Sequence, residues 1–265
     1  MADLMSWQDG ELTHSPQINA TNRGYLVGQG VFETLLVTNG RAEFLDRHLE
    51  RLVRSWRRIG PGEIPQSSVI RGVAEVLAAN VEVASLARLR ITATLLGDQP
   101  SILVTVVPME PWAETTSCIV LPWRANESSP LTGIKSTSYA ANILGMQWAQ
   151  ERGFSEGLYL NSQGVLVEGT STNIFLVVNN EIVTPAAECG PLPGVIRGLL
   201  LENKIAREAV LTATDLDDSS EMFLTSSTRG VHPVARCGDR TFELRGPRTL
   251  HVVSGLEEIR TSVHN

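Results

Sequence analysis

Lysine is nearly absent from this chain. Of its 22 basic residues 20 are arginine, so Lys135 and Lys204 are the two side chains that carry a primary amine. Any chemistry that needs such an amine has these two candidates. Cysteine is scarce as well: Cys118, Cys189 and Cys237 are scattered and odd in number. That argues against a disulfide framework or a zinc cluster and fits a reducing cytosol, with each thiol read as a small buried hydrophobe. Basic runs are missing and the net charge is −7, which argues against nucleic acid as a partner. No apolar stretch approaches the roughly 18 residues of a membrane span, and Met1–Gly10 has no apolar run of a secretory signal. A cytoplasmic protein away from membranes is expected. His48 and His232 have no His or Cys at metal-ligand spacing, so no metal site is expected.

What is present describes an ordinary folded protein, with 42% hydrophobic and 19% charged residues among 265. Val31–Val37 is rich in β-formers and is followed by Asn39-Gly40, a strong hairpin signal, with Arg41–Leu45 returning. Asp46 is placed to cap a helix through about Ile59, with Leu49, Leu52, Val53 and Trp56 as its apolar stripe and Gly60-Pro61 as its stop. A helix over Ser67–Asn80 and strands over Arg88–Leu96 and Ser101–Val107 complete an α+β N-terminal domain, residues 1–107. Pro108-Met109-Glu110-Pro111-Trp112 opens a linker, 108–116. The C-terminal domain, 117–265, has expected strands at Ser117–Pro122, Gly157–Asn161, Val165–Glu168, Asn173–Val178 and Glu221–Thr225. Its expected helices run over Ser136–Arg152, from Pro193-Gly194 to about Ala209, and over Gly246–Ile259.

Lys135 lies in Gly133-Ile134-Lys135-Ser136-Thr137-Ser138-Tyr139, between a loop and the expected helix start. A positive helix end and partial burial both lower an amine's pKa, which favours the neutral nucleophile that condenses with an aldehyde. Lys204 instead sits in Glu202-Asn203-Lys204-Ile205-Ala206-Arg207-Glu208, read as a solvated helix face. Three further segments carry polar chemistry in order: Gly28-Gln29-Gly30-Val31-Phe32-Glu33-Thr34 with His48-Leu49-Glu50-Arg51-Leu52; Val167-Glu168-Gly169-Thr170-Ser171-Thr172-Asn173; and Gly190-Pro191-Leu192-Pro193-Gly194-Val195-Ile196-Arg197.

This ordered set, from about Asn22 to Val234, resembles the class IV, fold-type IV pyridoxal-phosphate aminotransferases. That family includes branched-chain and D-amino-acid aminotransferases and 4-amino-4-deoxychorismate lyases. The resemblance implies a two-domain α+β fold, with a smaller N-terminal domain and a larger, mixed barrel-like C-terminal domain, and a homodimer acting on small amino and oxo acids. It implies that Lys135 forms a Schiff base with pyridoxal 5′-phosphate and that Glu168 keeps the ring nitrogen protonated. Arg51, the Val195 and Ile196 amides, Ser226 and Ser227 would hold phosphate, and Tyr139 would face the phenolic oxygen. Phe32, Arg90, Thr94 and Thr228 are the implied substrate residues, Thr228 through its amide. Arg88 and Thr34 share the strand faces of Arg90 and Phe32. Relatives often carry acids at the positions of Asn22 and Gln29 and threonine at Ile196. The resemblance implies an aminotransferase acting on an amino acid of D- or branched-chain type, with 4-amino-4-deoxychorismate lyase as the alternative and a catalytically silent pyridoxal-phosphate-binding relative as a third reading; these departures leave the amino acid and its enantiomer open.

Overall fold

Val31, Leu35 and Val37 are fully buried on one face of a strand that also carries Glu33, and this face organises the first unit. The computed structural model describes residues 4–244 and 246–264. The chain divides into Met1–Pro111 with Ile134–Tyr139, and Trp112–Gly133 with Ala140–Asn265. Unit one runs β1 (Ser6–Gln8), β2 (Glu11–Thr13), α1 (Arg23–Val27), β3 (Gly30–Thr38), β4 (Arg41–Ala42), α2 (Leu45–Ile59), α3 (Gln66–Ala79), β5 (Leu86–Leu96) and β6 (Gln99–Pro108). Its sheet is antiparallel in the order β2-β1-β6-β5-β3-β4. Period-two alternation on β5 buries Ala87, Leu89, Ile91, Ala93 and Leu95. α2 covers that core face with Leu49, Leu52 and Trp56, and α3 with Val69, Val73, Val76 and Leu77. The opposite face of β5 carries Arg88, Arg90, Thr92 and Thr94, none of them fully buried.

The hairpin is built as expected: Asn39 and Gly40 both have positive φ, 49° and 75°, the signature of a tight primed turn. The returning strand is only two residues long. Asp46 does not cap α2. Phe44, left-handed at φ 52°, occupies that position without a side-chain bond, and Asp46 lies in the first turn, where its charge suits the helix dipole.

The segment after Gly133 departs further from expectation. Residues 136–139 are not helical, because their backbone is taken by β3. The Phe32 N–H donates to the Lys135 carbonyl and the Thr137 N–H to the Gly30 carbonyl, both at 2.9 Å, forming an antiparallel bridge between Val31 and Ser136. The Thr137 and Ser138 hydroxyls both donate to the Gly28 carbonyl. Hydroxyl residues compete in this way with helical bonding, and the helix begins only at Ala140. Lys135 is therefore held by strand pairing and not by a helix N-terminus.

Unit two contains β7 (Thr116–Ala125), α4 (Ala140–Gln150), β8 (Glu156–Asn161), β9 (Leu166–Gly169), β10 (Asn173–Val178), β11 (Glu181–Pro185), α5 (Val195–Glu202), β12 (Arg207–Ala209), α6 (Ala213–Asp218), β13 (Glu221–Ser226), β14 (Gly230–Cys237), β15 (Arg240–Thr241) and α7 (Pro247–His264). Its sheet is mixed, ordered β12-β11-β10-β13-β14-β7-β8-β9 with β15 on β14. Parallel pairs join β7 to β8 and β14, and β11 to β12. Leu158, Leu166, Ile174, Leu176, Leu224 and Val234 lie at the centre of its core. The helix expected to reach Ala209 stops at Glu202. Lys204 takes a left-handed φ of 57°, and Arg207–Ala209 become a strand paired with Val183–Pro185. Lys204 thus sits in a turn.

Gly30 is where β3, β5 and the 135–137 segment meet. A Cβ there would lie 2.7 Å from the Ala93 carbonyl oxygen and 2.9 Å from Thr137 Oγ1. Gly30→Ala is predicted to cost about 1–3 kcal/mol through this overpacking, read as a lower urea midpoint. An unchanged midpoint would show that the junction has slack.

Candidate active site

In unit one, Lys135 Nζ lies 4.5 Å from the centroid of the Phe32 ring and 5.3 Å from that of Tyr139. The two rings meet edge to face at 5.2 Å. Arg90 Cζ sits 3.8 Å from the Phe32 centroid, and its Nε donates to Thr92 Oγ1. Phe32 is thereby contacted by two cationic groups, an arrangement stabilised by the ring's negative face. Burial, and then the charge of Arg88, lower the Arg90 pKa, although the guanidinium remains a cation. The fold thus brings Lys135, Phe32, Tyr139 and Arg90 together. Thr94 instead braces the loop before β3. Its Oγ1 accepts from Asn22 Nδ2 at 2.9 Å, and its methyl fills the space where a Cβ at Gly24 would stand.

Arg51 is buried on α2, and its partner is one the sequence did not suggest. Its Nε and Nη2 donate to the two carboxylate oxygens of Glu33 at 2.9 and 2.6 Å. His48 Nδ1 lies 2.6 Å from Glu33 Oε2, with His48 wholly buried. Burial first, and the charges of Arg51 and Lys135 with it, lower the His48 pKa against the opposing hydrogen bond and charge of Glu33, so the ring is neutral at pH 7 and its short contact to a carboxylate assigns the proton to Nδ1. Burial also pushes the Glu33 carboxyl upward. The charge and hydrogen bonds of Arg51, assisted by His48, outweigh that and hold its pKa at about 2. The signal for this triad was in the sequence: Glu33 has the parity of the buried Val31, Leu35 and Val37, and His48 and Arg51 are three apart on one helix face.

In unit two, Glu168 ends β9 with Oε2 accepting from the Leu192 N–H at 2.9 Å and from Asn173 Nδ2 at 3.3 Å. Asn173 Nδ2 also donates to the Leu192 carbonyl, so this carboxylate is oriented by the chain leading into α5. α5 begins at Val195 behind Gly194 with no side-chain cap, leaving its first amides in the arrangement that suits an anion. The Ile196 side chain is buried in the core. Ser226 Oγ accepts from the Arg229 N–H, which closes the turn bearing Ser227 and Thr228. His232 Nε2 contacts the Ala113 carbonyl oxygen at 2.9 Å, a structural bond.

Unit one thus sets a lysine amine against two aromatic rings, and unit two orients a carboxylate on a strand end and begins a helix without a side-chain cap. The chain belongs to the amino-transferase class IV family, which it matches over residues 30–237, a family of pyridoxal-phosphate-dependent aminotransferases and lyases. It is 26% identical over 257 residues to the D-alanine aminotransferase of Bacillus licheniformis, covering 91% of this chain and 90% of that one. It is 25% identical over 272 residues to the aminodeoxychorismate lyase of Bacillus subtilis, covering 92% and 90%. A branched-chain aminotransferase from Thermoproteus uzoniensis, solved with norvaline, superposes with a TM-score of 0.88 at 24% identity, over 97% of this chain and 94% of that one. The α+β, two-domain architecture is accordingly that of fold-type IV. No helix among the described residues is long and apolar enough to cross a membrane.

The Glu33 site carries a pH signature. Its folded pKa, about 2, is below the ordinary 4.5, so its contribution is full above pH 4.5 and disappears as pH falls through 2. That contribution is on the order of 3 kcal/mol. Glu33→Gln is predicted to be less stable than wild type at pH 7, with the gap narrowing between pH 4.5 and 2 in denaturant titrations. A gap independent of pH would remove the ionised triad from the account.

Proposed function

We propose that the chain is a pyridoxal-phosphate-dependent aminotransferase that moves an amino group between an amino acid, of D- or branched-chain type, and a 2-oxo acid. The observation that carries this is Lys135, half-buried against Phe32 and Tyr139 with Arg90 on the same ring. The residues fit the cofactor chemically. Its phosphate needs a cation and amide donors, supplied by Arg51, which Glu33 holds in place, by Val195 and Ile196 at the start of α5, and by Ser227. Its ring nitrogen needs a carboxylate, Glu168, whose orientation is fixed by Leu192 and Asn173. Its aldehyde needs an amine, Lys135. When bound, pyridoxal phosphate supplies the electron sink for the bond broken at the substrate carbon.

The chain's own residues do the rest. Lys135 Nζ would act as the general base that takes the proton from the substrate Cα and gives it back. Glu168 holds the proton on the ring nitrogen. Tyr139 would contact the cofactor's phenolic oxygen, and Arg90 and the Thr228 amide would bind carboxylate oxygens of the substrate. We assign the protein to the cytosol as a homodimer; its three cysteines are free and buried, as a reducing compartment allows. Similarity to the Bacillus subtilis lyase supports a second reading, loss of pyruvate from 4-amino-4-deoxychorismate, which would use the same residues.

Protein reconstituted with the cofactor is predicted to be yellow and to bleach with an amino donor, and Lys135→Ala is predicted to abolish the band. A band that persists in Lys135→Ala sinks the assignment. Glu168→Gln should retain cofactor yet lose about 100-fold or more in turnover. Assays with L- and D-amino donors beside aminodeoxychorismate separate the two readings: pyruvate release without amino transfer reverses their order.

A further inference from the structure

Glu156, at the start of β8, is fully buried and has no part in the chemistry above. Its Oε1 accepts the Thr170 hydroxyl. Its Oε2 accepts the Ser171 hydroxyl at 2.7 Å and lies 3.5 Å from Thr172 Oγ1. Three consecutive hydroxyls of the turn after Glu168 thus converge on one carboxylate. The turn is tight: the Gly169 N–H donates to the Thr172 carbonyl at 2.7 Å, and a Cβ on Gly169 would come within 2.2 Å of Thr172 Oγ1.

The counter-ion comes from another turn. Arg229, 6% exposed at its side chain, places Nη2 3.4 Å from Glu156 Oε2 and 3.5 Å from Ser171 Oγ. Its Cζ lies 4.2 Å from the Trp112 ring centroid, and Trp112 Nε1 donates to the Thr228 carbonyl at 3.0 Å. Arg229 is therefore tied both to the Glu168 turn and, through Trp112, back to its own turn. A buried ion pair of this kind adds little net stability over an apolar pair of the same shape. Its physical effect is to fix two backbone segments together.

We infer that Glu156 and Arg229 are positioning residues: one buried charge pair sets the 169–172 turn, and with it Glu168, and the 226–229 turn bearing Ser227 and Thr228. The inference rests on the function proposed above only in naming what the turns hold; the coupling of the turns is a property of the protein without cofactor. Neutralising Glu156 then loosens both turns, although Arg229 and the 226–229 turn lie on a different part of the chain.

The test is Glu156→Gln in the full chain, read by amide hydrogen exchange on cofactor-free protein and by titration with pyridoxal phosphate. Exchange is expected to speed up in both 169–172 and 226–229, and cofactor binding to weaken about 10-fold, as when an orienting partner behind a ligand-binding group is removed. Faster exchange confined to 169–172, or an unchanged dissociation constant beside a wild type that binds, overturns the inference. Should Glu156→Gln fail to fold, Ser171→Ala keeps the charge pair and removes one hydroxyl, with its 2.7 Å bond to Glu156 and its 3.5 Å contact to Arg229. The same two-turn pattern is then expected with about 5-fold weaker binding, and wild-type exchange in both turns overturns the inference. A wild type that does not bind pyridoxal phosphate contradicts the proposed function instead, and the exchange pattern still decides whether the turns are coupled.

Discussion

The pairing of residues 135–137 with the first residues of β3 is the constraint on which the unit-one site depends. Beyond the short β4, which pairs only with Val37 and Thr38, one edge of β3 at Gly30–Phe32 is completed by the Lys135 segment. Two backbone hydrogen bonds fix the lysine's main chain, so the ammonium can be carried against Phe32 without a helix to support it. The same strand sends Phe32 to the face shared with Arg90, and Glu33 to the core face shared with α2. A strand's period of two thus separates the groups proposed to meet substrate from the carboxylate that holds Arg51.

Each unit holds a buried carboxylate paired with an arginine, Glu33 with Arg51 and Glu156 with Arg229, and the two pairs differ in kind. Glu33 meets Arg51 through a two-pronged contact at 2.6 and 2.9 Å, with the neutral His48 occupying a further acceptor site on Oε2. This geometry commits two guanidinium nitrogens to orientation. Glu156 instead meets Arg229 at 3.4 Å and takes its closer bonds from hydroxyls, so the charge is diffuse and the hydrogen-bonded turn dominates. In the first case an acid aims an arginine. In the second, an acid and an arginine hold backbone turns.

The long elements were legible in the sequence because their signals are local. The alternation over β3, the Asn39-Gly40 turn, the Leu49–Leu52–Trp56 stripe and the strand Asn173–Val178 each need only neighbouring residues to be read. The misread segments are those in which a distant partner decides. Ser136–Tyr139 is helix-compatible alone but is taken by β3. Arg207–Ala209 continues a helix pattern but is claimed by β11. The role of Glu33 is not legible locally, because its partner Arg51 lies 18 residues away, and nothing local marks Glu156 as the acceptor of three hydroxyls. The family is legible from residue types in order, whereas the supporting charges require the fold.

Asn22 and Gln29 each use both ends of a neutral amide. Asn22 Oδ1 caps α1 by accepting from the Gly24 and Tyr25 amides, while its Nδ2 donates to Thr94 Oγ1. An aspartate could supply the cap but not that donor, and Thr94 would then have to turn its own proton toward the acid. With asparagine the Thr94 hydroxyl accepts, so its proton is directed to another acceptor. Gln29 divides its amide in the same way: Oε1 accepts from Arg23 Nε, and Nε2 donates to the Ile59 carbonyl at the end of α2, one of the groups a helix terminus leaves unsatisfied. Both sites thus replace a charge with a neutral group that donates and accepts at once, and neither adds an acid to the sheet carrying Arg88 and Arg90. Two neutral amides fix the loop around Thr94 and the end of α2, and neither offsets the positive character of the Arg88 and Arg90 face.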